Sequence, residues 1–200
     1  MVDIYLVGVG GQGIITASKI IGDAALISGQ DVVMSETHGM AQRGGSVICT
    51  TRIGGARSSL IPDGCADVVV SLELLETLRA VDKMSGRTTV LASTERMVPL
   101  SLSRRKDLRY PSADEVAARL GTVAGPLVMI DARRLAEDAG VAISSNIVMI
   151  GALAGSGTTG LPDEAFEKAI GRNIRRSVNE NLVAFAEGRD FAKKALASKV

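Results

Sequence analysis

Four glycines in six positions, Gly8-Val9-Gly10-Gly11-Gln12-Gly13, follow the apolar run Ile4 to Val7 and precede Ile14-Ile15-Thr16. This order reads as a buried strand, a tight turn and the head of a helix. Gly8, Gly10 and Gly13 fit the G-x-G-x-x-G spacing. In that spacing the first glycine permits the turn, the second lets phosphates approach the backbone, and the third lets helix and strand pack closely. The free N–H groups opening the helix would face an anion, favoured by the helix dipole. Glu36 ends a second strand about twenty residues on, where an acid that binds a ribose is expected. Gly8, Gly10, Gly11, Gln12 and Gly13 are therefore the candidate cofactor-binding residues. A sharp turn at a subunit interface is the competing reading of the same glycines.

A second stretch, Ser35-Glu36-Thr37-His38-Gly39-Met40-Ala41-Gln42-Arg43-Gly44-Gly45-Ser46, holds the only histidine, an arginine and three glycines. A lone His38 with no cysteine or serine constellation beside it suggests a hydrogen-bonded loop residue rather than a catalyst. Arg43, followed by Gly44 and Gly45, can present a planar cation and bare amides to a phosphate, a carboxylate or another chain. Cys49 and Cys65 are too few for a zinc or iron–sulfur site and read as reduced, buried thiols. No catalytic residue and no metal ligand set is assigned.

These loops need elements to hold them. Apolar residues recur at helical spacing from Ile14 to Ile27, and the helix closes at Gly29. Asp31 to Glu36 reads as strand two and Ser46 to Ile53 as strand three, with Gly54-Gly55 as a hairpin turn before Arg57 to Ile61. Strands follow at 66–72, 88–92 and 127–130, and helices at 73–84, 112–121 and 133–139. Ser112 with Glu115 forms a capping box, and Arg104, Arg105, Lys106 and Arg109 read as a solvated basic face. From Ser144 a nearly all-apolar helix, headed by Asn146, must be buried on most sides. Pro162 opens the terminal helices, and Ile174, Val178, Leu182 and Phe185 mark a helix face that stops at Gly188.

Strands alternating with helices predict one α/β domain over residues 1–200. It has three layers, with a mainly parallel Rossmann-like sheet, an antiparallel hairpin and C-terminal helices. Ligands of such sheets meet the carboxyl ends of the strands. The strands feeding the two loops are expected to be parallel neighbours, so that both loops form one surface.

Composition narrows the function. The 23 basic and 22 acidic residues nearly cancel, and aromatics make up 2% of the 200 residues. That leaves no whole-chain footprint for nucleic acid or an anionic membrane and no base-stacking platform. The N-terminus shows no basic region followed by an uninterrupted apolar segment, so a cytoplasmic, membrane-free protein is expected.

The turn Gly8 to Gly13, the Glu36-Thr37-His38-Gly39 and Gln42-Arg43-Gly44-Gly45 segments, and Asn146-Ile147-Val148-Met149-Ile150-Gly151-Ala152-Leu153 together resemble the gamma-type subunit of 2-oxoacid:ferredoxin oxidoreductases. Within that family the chain is similar to the beta subunit of indolepyruvate ferredoxin oxidoreductase. The resemblance runs from Val7 to Gly188 and includes Tyr110-Pro111 and Ile130-Asp131-Ala132. It implies a non-thiamine subunit of a complex that decarboxylates a 2-oxoacid oxidatively to an acyl-coenzyme A and passes electrons to ferredoxin. Thiamine diphosphate, magnesium and iron–sulfur clusters are then expected on partner subunits, with none bound by this chain. Coenzyme A becomes a candidate ligand at the interface. His38, Gln42, Arg43, Gly44, Gly45 and Asn146 become partner- or substrate-facing candidates. Homodimerisation is left open. A free-standing NAD- or FAD-binding Rossmann-type oxidoreductase is the alternative, and a nucleotide-sensing module a third reading.

Overall fold

The computed structural model describes residues 1–38, 44–97 and 109–198. Among these residues the strands are β1 Val2–Val9, β2 Val32–His38, β3 Ser46–Ile53, β4 Val68–Ser71, β5 Thr89–Ser93 and β6 Leu127–Ile130. The helices are α1 Ile14–Ile27, α2 Leu74–Arg79, α3 Ala113–Leu120, α4 Ala132–Asp138, α5 Ser145–Gly155, α6 Asp163–Asn173 and α7 Val178–Ala197, with a 3₁₀ turn at Val81–Lys83. The strands form one sheet in the order β2-β3-β1-β4-β5-β6. β1, β4, β5 and β6 pair in parallel, and β3 is antiparallel to both β1 and β2. The expected layered α/β architecture is thus present.

Strand alternation divides the core. Ile4 and Leu6 of β1 and Val68 and Val70 of β4 face one side, where α1, α4, α5, α6 and α7 pack. Tyr5, Val7, Val69 and Val90 face the other, under α2 and α3. Successive side chains of a strand point to opposite faces, so a buried parallel strand must be apolar throughout. Helix α5 is the centre of the thicker layer, with every residue from Ser145 to Leu153 buried, as its composition requires.

Three expectations are corrected. The antiparallel piece is the β2–β3 hairpin, and residues 57–61 form no strand. Both edges of β3 are already paired, so 57–61 has no free ladder to join. Side chains hold it instead: Arg52 donates to Ser58 O at 3.1 Å and Leu60 O at 2.8 Å, and Thr50 Oγ1 donates to Ser59 O at 2.8 Å.

The helix expected over 73–84 divides at Ala80, whose N–H is shared between Glu76 O and Thr77 O at 3.2 Å each, a tightening typical of a helix end. Gly188 does not stop a helix. The chain breaks earlier, at Ile174 to Ser177, and α7 runs through Gly188 to Ala197. A Cβ on Gly188 would collide with Val148 O, one on Gly151 with Phe185 O, and one on Gly155 with Arg189 O. These glycines bring the backbones of α5 and α7 into contact, which no larger residue permits. Phe166 and Phe185 stack beside this crossing with ring centroids 5.9 Å apart.

Candidate functional site

β1 delivers the glycine turn to the carboxyl edge of the sheet. A Cβ on Gly8 would overlap Ile14 Cδ1 and stand 3.1 Å from Leu72 Cβ, so position 8 accepts no side chain. The chain then turns, and Gly13, at φ 76°, ψ 25°, is the N-cap of α1. A side chain on Gly13 would be strained by that φ and would meet Asn146 Nδ2 at 2.5 Å.

Gln12 is 7% exposed. Its Oε1 accepts from Val9 N at 2.9 Å and its Nε2 donates to Leu72 O at 2.8 Å, which ties the turn to the end of β4. Both ends of the amide are therefore spent on backbone, and Gln12 acts as a clasp. Asn146, also 7% exposed, donates from Nδ2 to Gly13 O at 3.2 Å and accepts from Ile147 N at 3.0 Å. It joins the heads of α1 and α5 from inside.

The second loop meets the turn through backbone. Gly10 N donates to Gly45 O at 2.8 Å, and Gly44 N to Gly10 O at 3.4 Å. The two loops are thus neighbours, but not for the reason expected. β1 and β2 point the same way without pairing, because β3 lies between them. The amino end of β3 therefore enters beside the turn. His38 closes β2 opposite Val47. The side chain of His38, and Gln42 and Arg43 altogether, lie outside the described residues, as do Arg104, Arg105 and Lys106. Arg109, the remaining member of that basic run, pairs with Glu115 of the Ser112 capping box.

This arrangement bears on the dinucleotide reading. With adjacent strands about 4.8 Å apart, Glu36 on β2 is displaced by one extra strand from its expected place beside β1. The amide of Gly10, the residue that would face a pyrophosphate, already donates to the chain's own Gly45 O. A cavity of about 320 Å³ does remain over the head of α1, lined by Gly10, Gly11, Gly13, Ile15, Thr16 and Val47. No N-cap side chain occupies the first amides of that helix, so an anion is the chemistry it favours.

A buried acidic row beside the turn had not been singled out in the sequence. Glu73 caps α2, its Oε2 accepting from Leu75 N at 2.7 Å and Glu76 N at 3.0 Å, and its Oε1 accepting from Met97 N at 3.1 Å and from the Tyr110 hydroxyl. Glu76 accepts from Ser46 Oγ at 2.6 Å and Arg79 Nη1 at 2.7 Å. Burial, then the hydrogen bond to Glu73, pushes the Tyr110 hydroxyl well above the ordinary range, and Arg96 lies over its ring at 4.7 Å. The only sequence signal was an acid at the strand-to-helix junction, Ser71-Leu72-Glu73, which read as a helix start.

Of the cysteines, Cys49 is buried and Cys65 exposed, so the expectation of two buried thiols holds for one. Burial pushes the Cys49 thiol up to about 11. Among the described residues no group of three or more His, Cys, Asp or Glu could hold a metal ion, and no helix is long and apolar enough to cross a membrane.

Fold and site define a class: a layered α/β domain whose glycine turn is buttressed by its own antiparallel strand. The model of the pyruvate ferredoxin/flavodoxin oxidoreductase family matches residues 3–191, and the chain belongs to that family. It is 44% identical over 187 residues to indolepyruvate oxidoreductase subunit IorB of Methanothermobacter thermautotrophicus, an alignment covering 93% of this chain and 95% of that one. Among solved structures it is similar to the keto/oxoacid ferredoxin oxidoreductase gamma subunit from Geobacter sulfurreducens PCA, with TM-score 0.69, 26% identity, and coverage of 96% and 98% of the two chains. It is also similar to pyruvate oxidoreductase subunit PORC from Thermotoga maritima, with TM-score 0.71, 25% identity, and coverage of 95% and 96%. The resemblance read from the three motifs is borne out.

Proposed function

We propose that this chain is the gamma-type, non-thiamine subunit of a 2-oxoacid:ferredoxin oxidoreductase acting on indolepyruvate or a related keto acid. The observation that carries the reading is the family match over residues 3–191, joined to a glycine turn that the chain's own Gln12, Asn146 and Gly45 hold rigid. In this reading the whole span 1–200 works as one unit in the cytoplasm. Thiamine diphosphate, magnesium and iron–sulfur clusters belong to partner subunits, which pass electrons to ferredoxin. The turn and the Gln42-Arg43-Gly44-Gly45 loop form the working edge, facing the partner or the coenzyme A entrance. Its backbone amides and a guanidinium suit a carboxylate or a phosphate.

The test is reconstitution. The chain alone is expected to show no 2-oxoacid-dependent reduction of a viologen dye, and co-expression with a thiamine- and cluster-bearing partner is expected to give it. Arg43→Ala should weaken assembly by about 2–5 kcal/mol if the guanidinium meets a buried partner acid. Gly10→Val should impair oxidation at low coenzyme A. Full activity and assembly in both variants would leave the turn a purely structural device. Oxidation by the chain alone would overturn the assignment.

A further inference from the structure

Asn146 braces the glycine turn from the layer of α1 and α5, through Gly13 O. Another brace comes from the opposite face of the sheet. Glu76, in the first turn of α2, is 2% exposed, and its Oε2 accepts from Ser46 Oγ at 2.6 Å. Ser46 opens β3 directly after Gly44-Gly45 and lies opposite Val9 in the β1–β3 ladder, where the glycine turn begins. Its two neighbours carry the contact across the sheet. Gly45 O takes the Gly10 amide at 2.8 Å. Val47, whose side chain alternates to the α1 face, forms part of the wall of the 320 Å³ cavity. One side-chain hydrogen bond on the α2 face therefore fixes a carbonyl and a wall residue of the turn.

Neither helix capping nor packing accounts for a carboxyl group at this place. Glu73 already caps α2, accepting from Leu75 N and Glu76 N. Glu76 Oε1 accepts from Arg79 Nη1 at 2.7 Å, but the Arg79 side chain is 54% exposed, so water can serve that guanidinium. Taking a carboxylate out of water is costly, and a buried apolar side chain of similar size would avoid the cost. What such a residue could not supply is the acceptor for Ser46.

We propose that Glu76 is a positioning residue for the working edge. Through Ser46 it sets where Gly45 and Val47 stand, and with them whether the Gly10 amide is closed and how wide the cavity over α1 is. The inference rests on the reading that this edge faces the coenzyme A entrance, and it adds the residue that sets the shape of that entrance. Glu76 acts only through Ser46, so its loss changes the affinity of the edge before it changes turnover.

The test is steady-state kinetics of the reconstituted complex with coenzyme A as the varied substrate. Ser46→Ala and Glu76→Ala are each expected to raise KM for coenzyme A about tenfold, the worth of a lost hydrogen bond to a charged group, with kcat changed less than about twofold. The double variant should be no worse than the worse single one, because both remove the same bond. Glu76→Gln keeps an acceptor for Ser46 and should restore KM, although an amide does not pair with Arg79 as a carboxylate does. Arg79→Ala breaks the ion pair alone and should leave KM unchanged. Ser46, half-buried at a strand end, keeps the test decisive if Glu76→Ala does not fold.

A purely structural Glu76 gives another pattern, with Arg79→Ala and Glu76→Gln as harmful as Glu76→Ala and kcat falling along with affinity; that result would overturn the proposal. Gly10→Val tells its failure from that of the underlying reading. If Gly10→Val raises KM for coenzyme A while Ser46→Ala does not, the edge serves coenzyme A and only the role of Glu76 is lost. If neither variant changes KM, the reading of the edge falls and the proposal with it.

Discussion

The molecule uses clustered glycines twice, for opposite purposes. At the crossing of α5 and α7, Gly151, Gly155 and Gly188 are needed because backbone carbonyls occupy the places a Cβ would take. At the turn between β1 and α1, Gly11 has φ 109° and nothing within 4 Å of a built Cβ, so backbone geometry alone demands glycine and the space beside it is open. A glycine cluster therefore marks either a closed contact or an exposed surface. The distinction lies in what occupies the absent side chain's position. In this chain the crossing of α5 and α7 is of the first kind throughout, whereas the turn combines the two, with Gly8 and Gly13 closed against Ile14 and Asn146 and Gly11 open.

The largest expected effect separates the two directly. Gly188→Ala and Gly151→Ala each force a Cβ into a facing carbonyl, which flexible side chains cannot relieve, and should destabilise the protein by about 3 kcal/mol or more in urea unfolding. Losses below about 1 kcal/mol would mean that the helices can separate at little cost. Gly11→Ala meets no neighbour and should cost only the left-handed backbone penalty, about 1–2 kcal/mol. Gly13→Ala lies between, because it combines φ 76° with a clash against Asn146. Adding Asn146→Ala should recover part of that loss but not all, and a double-mutant cycle would measure the coupling.

A smaller effect tests how tightly β3 seals the turn. Cys49, opposite Leu6 and Glu36 in the ladder, has its thiol raised by burial from 9.0 to about 11. In the unfolded chain the thiol ionises near its ordinary value, so the unfolded state loses its proton first as pH rises. This contribution to stability is fully present below about pH 9 and is lost as pH climbs to about 11, a change on the order of 2 kcal/mol. Tyr110, raised chiefly by burial, acts in the same direction. Cys49→Ala should flatten part of the alkaline slope; an unchanged slope would show that β3 admits water. The smallest effect is chemical: at neutral pH a maleimide should label Cys65 in the native chain and spare Cys49 until unfolding.

Much of the fold was legible because local pattern and burial agree. The apolar runs of β1, β4 and β6, the Ser112–Glu115 capping box, and a helix from Ser144 apolar on all sides each carry their own signal. Strand order had none. Whether β3 pairs beyond Gly54-Gly55 or inserts between β1 and β2 depends on which ladder edges are free, and no residue of β3 encodes that alone. The insertion decided that Glu36 stands away from the turn and that Gly10 meets Gly45. Gly188 was misread for a related reason: a glycine's spacing is identical whether it ends a helix or touches a neighbouring one. The sequence by itself determined most of the element types, though not the absence of a strand at 57–61, and it determined the turn and, through three motifs in order, the family. Only the tertiary structure decided which glycines are closed contacts and gave Gln12 and Asn146 their partners on Leu72 and Gly13. Each of these depends on atoms far apart in the chain, and a local pattern holds no information about what packing brings to its other side.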